Sequence, residues 1–316
     1  MLAAFYRGDI KFSLEDIEEP QPKANEVKIR IVANTICNST DRKIIMGLRD
    51  HIFGVNVVLG HESAGVIEEV GALVTDFKVG DRVATEAWGT YTKTICTTTD
   101  KVQHVPDKLN FDQIALTEIA MKVYQMAAGN IIPGDTVVIL GQGAAGLIFT
   151  QLAKLAGASK IIVTDLYEFK LDKAKSYGAD VAINAGKEDA LEAIKVALGE
   201  GTADVIIEAA GVVETPAIAQ RVPNTYGAKV LQFGVIPYDV SYSFSHLHDC
   251  GQQVLTIGAC RFLDASLPYR RAIQLIAEGK IEIESFITHR FKLEDINDAF
   301  DLVLNHPEQI NKIVIE

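Results

Sequence analysis

Cysteine is scarce in this sequence, and no two cysteines stand close together. The chain of 316 residues contains four of them: Cys37, Cys96, Cys250 and Cys260. This spacing excludes the paired-cysteine motifs of redox proteins and structural zinc sites, and it does not suit the disulfide framework of a small secreted domain. We therefore expect a reduced compartment, in which any function of a cysteine is local.

Long apolar runs and clusters of basic residues are also missing. No window of about 18 uninterrupted apolar residues occurs, and the start of the chain, MLAAFYRGDIKF, lacks a basic segment followed by an apolar one. These absences predict a cytoplasmic protein without a membrane segment. The formal net charge of −12 argues against binding to nucleic acid or to an anionic membrane. We expect the partner to be a small molecule that is not strongly anionic.

The remaining composition is that of a folded protein with two domains. Hydrophobic residues make up 48% of the chain and charged residues 23%, which is ordinary for a globular protein. Residues 1–36 show short strand patterns broken by Pro20 and Pro22, and this predicts a β-rich start. Residues 135–259 alternate strand and helix patterns, which predicts an α/β domain with a doubly wound parallel sheet.

The stretch of residues 136–165 has the pattern of a dinucleotide-binding βαβ unit. A strand-like TVVIL leads into the loop GQGAAG, then a helical pattern and a second strand-like run. The first glycine permits a tight turn, the second lets the backbone approach a pyrophosphate at the helix N-terminus, and the third allows close packing of helix on strand. A purely structural turn is the alternative, but the flanking patterns favour a cofactor site. The expected contacts are Gly141, Gly143, Ala144 and Gly146.

Asp165, at the end of the second run, favours NAD over NADP. Its carboxylate can accept both ribose hydroxyls but would repel a 2′-phosphate, and no arginine occurs in residues 166–169. Lys170 is placed to reach the adenosine ribose, with a solvated helix lysine as an equal alternative. Gly211 and Gly234 follow successive strands and should line the nicotinamide half of the groove, with tight turns alone as the alternative.

A second group of residues suggests a metal site in the β-rich part of the chain. Cys37, His61 and Glu62 together offer sulfur, nitrogen and oxygen ligands that suit zinc, and catalytic sites collect such ligands from distant elements. Taken separately, Cys37 and His61 are typical of buried core residues. The sequence around them decides between these interpretations.

Several motifs of this chain resemble those of the medium-chain, zinc-dependent alcohol dehydrogenases. They are GHESAG at 60–65, FKVGDRV at 77–83, the GQGAAG loop, DVIIEAAG at 204–211 and ITHRFKLEDINDAF at 287–300. The segment Ala115-Leu-Thr-Glu118 is most similar to the sorbitol, or polyol, dehydrogenases within this family. The resemblance extends over nearly the whole chain.

The resemblance implies a fold, a domain organisation and a ligand set. The expected fold is α/β, with a doubly wound Rossmann sheet and a discontinuous, β-rich GroES-like catalytic domain. Residues 1–122 would hold the zinc site, residues 123–262 would bind NAD, and residues 263–316 would return to the catalytic domain. By the resemblance, Cys37, His61 and Glu62 become zinc ligands, and Glu118 becomes a fourth ligand or a near neighbour that exchanges with water.

The chain departs from the family pattern where a structural zinc is usually held. Family members insert four closely spaced cysteines after the GDRV segment, whereas here residues 84–95 contain none before Cys96. We therefore expect the structural zinc and its lobe to be absent, and one zinc per chain. Catalysis need not suffer, because the missing lobe is a surface element.

The proton relay is the second departure. The family pattern C-x-S/T-D has one extra residue here, so counting from Cys37 gives Ser39 as the relay hydroxyl, while counting back from Asp41 gives Thr40. Asp41 would brace a zinc-bound histidine. The histidine that often ends the relay is replaced by Arg42 or Lys43, so proton exit is expected through water or ribose hydroxyls.

The substrate pocket is expected to be polar. His51 and Trp88 should line it by position, and Arg261 stands where polyol enzymes place an arginine near the substrate, with a surface salt bridge as its alternative. These residues favour a polyol or cyclitol as the alcohol, and we also expect a homo-oligomer, a dimer or tetramer. Two other classes stay open: a zinc-free quinone or enone reductase of the same superfamily, and a non-enzymatic structural or cofactor-binding protein.

Overall fold

The computed structural model describes residues 1–257 and 266–316. The chain forms two compact units. One comprises Met1–Met121 with Tyr269–Glu316, and the other comprises Lys122–Pro268. Among the described residues, no helix has the length and apolar character that crossing a membrane requires.

The strands follow one another along the described chain with helices between most of them. The strands are β1 Leu2–Tyr6, β2 Phe12–Asp16, β3 Glu26–Thr35, β4 Val57–Val58, β5 Glu62–Val70, β6 Arg82–Thr85, β7 Thr94–Thr98, β8 Val102–His104, β9 Thr136–Leu140, β10 Lys160–Asp165, β11 Val181–Asn184, β12 Ala203–Glu208, β13 Asn224–Gln232, β14 Gln253–Thr256, β15 Ile287–Phe291 and β16 Lys312–Ile315. The helices are α1 Thr40–Ile45, α2 Asp50–Phe53, α3 Phe111–Ala115, α4 Thr117–Ala127, α5 Ala144–Ala156, α6 Glu168–Ser176, α7 Ala190–Leu198, α8 Thr215–Ala219, α9 Phe244–Cys250, α10 Leu267–Ala277 and α11 Ile296–Asn305.

The unit formed by Lys122–Pro268 contains a parallel sheet with strand order β11-β10-β9-β12-β13-β14. Each neighbouring pair runs parallel, and in the central register Val138 of β9 lies between Ile162 of β10 and Ile206 of β12. These residues are fully buried, as expected for strands covered by helices on both faces. The strand order reverses between β9 and β12, and open α/β sheets bind ligands at the carboxyl ends of strands beside such a reversal.

The other unit is mainly antiparallel. Its larger sheet has the order β15-β16-β3-β5-β6-β8, with β7 also paired to β3, and a smaller sheet has the order β2-β1-β4. Strand β16, near the C-terminus, pairs antiparallel with β3, so the end of the chain joins the unit that contains its start. The polypeptide of this unit is therefore discontinuous in sequence.

Apolar packing fixes the segments that carry the zinc-ligand candidates. Ile36 and Leu59, which lie close in sequence to Cys37 and His61, are buried in one hydrophobic core. In the same core Phe12 makes an edge contact with Phe300 at a ring-centroid distance of 4.8 Å. Because the residues beside them are anchored in this core, the candidate ligands are held by the fold and not by flexible loops.

The predicted fold class is confirmed. The chain combines a doubly wound parallel sheet with an antiparallel, β-rich unit, as α/β proteins of this kind do. Residues 86–93 connect β6 directly to β7 and contain none of the four cysteines by which family members hold a structural zinc.

Candidate active site

The structure brings together three residues that are distant in sequence. One ligand atom each of Cys37, His61 and Glu62 lies within 4.8 Å of the others. Strands β3 and β5 pair antiparallel with Thr35 opposite Glu62, so the residues just after β3 meet those at the start of β5. A sulfur, an imidazole nitrogen and a carboxylate oxygen at such separations form a donor set that fits zinc.

Asp41 contacts two members of this set, Cys37 and His61. Its side chain is fully buried; one carboxylate oxygen accepts hydrogen bonds from the Tyr91 hydroxyl at 2.5 Å and from the Cys37 N–H at 3.2 Å. The other oxygen lies 3.3 Å from Nδ1 of His61. A carboxylate facing the second nitrogen of a histidine is the usual partner of a metal-binding imidazole, because it fixes the tautomer and the ring orientation.

The electrostatics of this pair follow from burial and proximity. Burial by itself would raise the pKa of Asp41, but the facing His61 and the hydrogen-bond donors lower it below its usual value. Burial likewise disfavours a charged imidazole, yet Asp41 and Cys37 raise the pKa of His61 well above its usual value. The Asp41 carboxylate therefore stabilises positive charge on the His61 ring.

Glu62 is held from one side only. Its side chain is fully buried, and Oε2 is in contact with the Thr35 hydroxyl and the Lys312 ammonium, whereas Oε1 has no hydrogen-bond partner. A buried carboxylate oxygen without a partner is costly unless something binds it, and a metal ion beside Cys37 and His61 would do so. This orphaned oxygen is a second observation that fits zinc.

Lys312 was missed by the sequence analysis. It is 3% exposed, and its ammonium also donates to the carbonyl oxygen of Ile36 at 3.0 Å. Burial disfavours a charge on Lys312, but the nearby Glu62 and Cys37 raise its pKa above the usual value. The available signal was a charged residue at the start of an otherwise apolar strand, KIVI, which does not reveal the partner.

Glu118 lies at the start of α4 with a side chain that is only 5% exposed. Among the described residues, the set of mutually close ligand atoms comprises Cys37, His61 and Glu62, and Glu118 is outside that set. It is nevertheless close enough to act electrostatically on Lys312. The carboxylate is thus near the site without being part of the tight cluster.

The two candidate relay hydroxyls differ in their surroundings. Lys43, at 8% exposure, donates from Nζ to Oγ of Ser39 at 3.1 Å. Thr40 contributes its backbone N–H to the Cys37 sulfur at 3.3 Å. The Ser39 hydroxyl therefore has a cationic neighbour, whereas Thr40 contacts the site through its backbone N–H.

Trp88 packs against His61, one of the three zinc-ligand candidates. Its indole stacks on His61 at 4.4 Å between ring centroids, contacts the Phe53 ring at 4.6 Å, and is 43% exposed. His51 lies on α2 with an exposed side chain, and Arg261 lies outside the described residues. Phe53 was not singled out from the sequence, where an isolated phenylalanine in a short helix carries no signal for a site.

The glycine-rich loop has the geometry that its pattern predicts. Gly141 has a φ of +95° and a Cβ there would stand 2.8 Å from Ala210, while a Cβ at Gly146 would collide with the carbonyl oxygen of Gly141. No atom lies within 4 Å of a Cβ placed on Gly143, the residue before α5, which begins at Ala144. The first and third glycines serve packing, and the second leaves the open space that a pyrophosphate at a helix N-terminus needs.

Asp165 ends β10 beside this loop. Its two carboxylate oxygens accept backbone N–H groups of Gln142 at 2.7 Å and Tyr167 at 3.0 Å, so the carboxylate is fixed in place and each oxygen keeps a free lone pair. Lys170 lies over the rings of Tyr167 and Phe169, and burial lowers its pKa despite the nearby Asp165. This arrangement suits a ribose diol at Asp165.

Glu208 organises the ends of the next two strands. Oε1 accepts hydrogen bonds from the Gly211 N–H at 2.8 Å and the Thr215 hydroxyl at 2.6 Å, and Oε2 accepts from Gln232 at 2.5 Å. A Cβ at Gly234 would collide with this carboxylate. Gly211 and Gly234 are therefore brought together by one buried residue that the sequence analysis did not single out.

Comparisons with known proteins agree with this geometry. Residues 23–110 match the alcohol dehydrogenase GroES-like domain, and residues 144–278 match the zinc-binding dehydrogenase domain. Sorbitol dehydrogenase of Bombyx mori is 30% identical, with 95% of this chain and 94% of that protein covered, and sorbitol dehydrogenase of Bacillus subtilis is 29% identical, with 100% and 97% covered. The solved structure of zinc-dependent alcohol dehydrogenase 2 from Streptococcus pneumonia, in its apo form, superposes with a TM-score of 0.88 at 26% identity, covering 100% of this chain and 98% of that one.

The chain belongs to the zinc-type, medium-chain alcohol and polyol dehydrogenase family. It is accordingly an oxidoreductase with a Rossmann domain, and the predicted zinc and nicotinamide cofactors are confirmed at the level of the family. The matches give no support to the two alternatives, the zinc-free reductase and the non-enzymatic protein.

Proposed function

We propose that this protein oxidises a polyhydroxylated secondary alcohol, a polyol or cyclitol, with NAD as the hydride acceptor and zinc as the metal. The observation that carries the proposal is the donor set of Cys37, His61 and Glu62, whose ligand atoms lie within 4.8 Å of one another. The named activities of the sorbitol dehydrogenases that it resembles support the substrate class. The reverse reaction, reduction of the corresponding ketone by NADH, would use the same residues.

Zinc would be held by Cys37, His61 and Glu62, with Glu118 as a fourth ligand or a near neighbour. When bound, zinc lowers the pKa of a substrate hydroxyl, and NAD accepts the hydride from the carbinol carbon. Asp41 orients His61 through Nδ1 and leaves the other ring nitrogen for the metal. Trp88, which stacks on His61 and contacts Phe53, would provide an apolar surface beside that ligand.

We assign the proton relay to Ser39. Its hydroxyl would take the proton of the substrate hydroxyl, and the contact with Lys43 at 3.1 Å supports this choice over Thr40. For this transfer a lone pair of the Ser39 Oγ would face the substrate hydroxyl, and the hydrogen of Ser39 would pass on to water or to a ribose hydroxyl of the cofactor. The Lys43 ammonium has no lone pair to accept this proton, and its charge would instead stabilise negative charge that develops on Oγ.

The cofactor residues lie in the parallel-sheet unit. Gly143 and Ala144 at the start of α5 would bind the pyrophosphate, Asp165 the adenosine ribose, and the backbones of Gly211 and Gly234 the nicotinamide half. Gly141 and Gly146 shape the loop, and Lys170 would approach the ribose. We assign zinc and substrate binding to residues 1–122 and 263–316, and NAD binding to residues 123–262.

Two properties of the whole protein belong to the same proposal. We infer a cytoplasmic location because the cysteines are few and isolated, which suits a reducing compartment. We infer a homo-oligomer, a dimer or a tetramer. Sedimentation equilibrium and fractionation of cells test these two inferences separately from the chemistry.

A panel of alcohols assayed by NAD reduction tests the function. We expect kcat/KM for sorbitol, xylitol or a cyclitol to exceed that for 2-butanol by at least about tenfold, because a site built to bind several hydroxyls leaves its donors unpaired with a simple alcohol. Dialysis against a zinc chelator should abolish turnover, and added zinc should restore it. Equal or better turnover of 2-butanol would refute the polyol assignment, and full activity after zinc removal would refute the zinc mechanism.

A further inference from the structure

The end of the chain places a buried cation against a zinc-ligand candidate. Lys312, the first residue of β16, is 3% exposed, and Glu62 is fully buried. The Lys312 ammonium contacts Oε2 of Glu62 and donates to the carbonyl oxygen of Ile36 at 3.0 Å. A buried lysine loses much solvation free energy, so its position beside a carboxylate calls for an explanation.

The charges around the donor set suggest what this lysine does. With zinc bound, the site would contain the Cys37 thiolate and the Glu62 carboxylate as ligands, and the Glu118 carboxylate is close enough to act on Lys312. Without a metal, the site would hold two buried carboxylates, Glu62 and Glu118, that both act on Lys312, and burial of like charges in one region is unfavourable. A fixed positive charge beside them offsets this repulsion, and it stands on the side of Glu62 away from the orphaned Oε1.

We propose that Lys312 is a resident counter-ion of the metal site, which stabilises the donor set in the absence of zinc. The proposal rests on the proposed function, in which Glu62 binds zinc. Lys312 and the Thr35 hydroxyl hold Oε2, so Oε1 stays available to the metal. Because the ammonium repels a divalent cation, the same charge that stabilises the metal-free protein weakens zinc binding. Lys312 is therefore a positioning residue that also limits the affinity of the site.

Two simpler roles of Lys312 predict different effects on stability and on zinc affinity when the lysine is lost. An ion pair that only fixes β16 on β3 would contribute equally to the stability of the metal-free and zinc-loaded proteins. A residue that only orients Glu62 for the metal would raise zinc affinity, so its loss would weaken zinc binding. A counter-ion predicts the opposite outcome: its loss harms the metal-free protein most and strengthens zinc binding.

The test compares Lys312→Met with the charge-conserving control Lys312→Arg. Thermal unfolding is measured with and without zinc, and zinc affinity is measured by competition with a chromophoric chelator. We expect Lys312→Met to lower the Tm of the metal-free protein by at least about 6 °C and that of the zinc-loaded protein by less than half as much. Zinc affinity should rise at least about fivefold. Lys312→Arg should keep its Tm within about 3 °C of that of the parent protein, with and without zinc, and its zinc affinity within about threefold.

Equal loss of Tm with and without zinc, or weaker zinc binding in Lys312→Met, would overturn the proposal. If that variant does not fold without zinc, the double variant Glu62→Gln/Lys312→Met decides, because removing both charges should restore a folded metal-free protein with a cooperative unfolding transition. No recovery would also overturn it. Failure of the proposed function is distinguishable, since it would appear as missing zinc or missing turnover in the unmodified protein.

Discussion

Tyr91 donates its hydroxyl hydrogen to Asp41 at 2.5 Å, and Asp41 faces His61 at 3.3 Å. The three side chains are buried, and Tyr91 and Asp41 are completely so. Burial, followed by the charge of Asp41, raises the pKa of Tyr91 well above its usual value, so this hydroxyl remains a donor. These two successive contacts, from Tyr91 to Asp41 and from Asp41 to His61, thus connect the candidate metal site to the hydrophobic core.

Replacing Tyr91 by Phe should weaken the metal site without unfolding the protein. A hydrogen bond to a charged group contributes about 1.5–3 kcal/mol, and loss of an outer partner of a metal ligand typically costs about 10–100-fold in metal affinity or activity. Because Tyr91 acts on His61 through Asp41, we expect a loss of zinc affinity at the lower end of that range, about tenfold, measured by chelator competition. Tyr6→Phe is the matched control, since Tyr6 is equally buried and donates to Asp50 at 2.8 Å. Equal zinc affinity in the two variants would contradict the assigned role of Tyr91.

Replacing Cys37 by Ser should remove zinc and turnover but leave NAD binding intact. The cofactor loop and Asp165 belong to the parallel-sheet unit, and Cys37 belongs to the other unit. We expect one zinc per chain in the parent protein by elemental analysis, a loss of most of it in the variant, and an NAD dissociation constant within about twofold by calorimetry. Cys96→Ser, on β7, is the control that should keep its zinc. About two zinc ions per chain, or loss of NAD binding in Cys37→Ser, would contradict this separation.

Replacing Asp165 by Ser should narrow the preference for NAD over NADP. The variant loses a charged acceptor for the ribose hydroxyls, at about 1.5–3 kcal/mol per bond at most, and also loses the repulsion of a 2′-phosphate. The ratio of kcat/KM for the two cofactors should fall at least about tenfold, mainly through KM. Asp180→Ser is a control, because Asp180 accepts the Ile161 N–H at 2.8 Å near the start of the same strand. A parent enzyme that prefers NADPH would refute the assignment.

The stability of the protein should fall at alkaline pH, in part through Cys96. Burial, followed by the nearby Glu26, raises the pKa of this thiol to about 11 from 9.0. A group whose pKa is raised in the folded state stabilises the fold below its unfolded pKa, and that contribution is lost as pH rises from about 9 to about 11. In urea unfolding at pH 8 and pH 10.5, Cys96→Ala should show a smaller drop in the midpoint than the parent. An identical drop in both proteins would show that folding does not raise the pKa of this thiol.

Arg261 carries the prediction on substrate selectivity. The residue lies outside the described part of the structure, so the prediction comes from the sequence, which places an arginine where polyol dehydrogenases have one near the substrate. Arg261→Ala should erase most of the preference for a polyol over 2-butanol in kcat/KM, because a donor to a substrate hydroxyl is lost. Arg271→Ala is the control, since Arg271 bonds to Gln274 on an exposed helix face. An unchanged preference in Arg261→Ala would assign this arginine to the surface.

The sequence by itself determined the parts of this protein that depend on local pattern. Gly141, Gly143 and Gly146 have backbone requirements that are set within one turn and one helix, and Asp165 follows them at the end of the next strand. The residues Cys37, His61 and Glu62 were also found from the sequence, because their types and motifs suit zinc. The relay could not be settled in this way, since one extra residue made Ser39 and Thr40 equivalent by counting.

Only the tertiary structure decided which residues surround the metal donors. Antiparallel pairing of β3 and β5 places Thr35 opposite Glu62, and pairing of β16 with β3 places Lys312 against the same carboxylate from 250 residues away. Tyr91 reaches Asp41 across 50 residues in the same manner. Such partners depend on strand register and on packing between distant segments, and the local periodicity of a sequence contains no information on either.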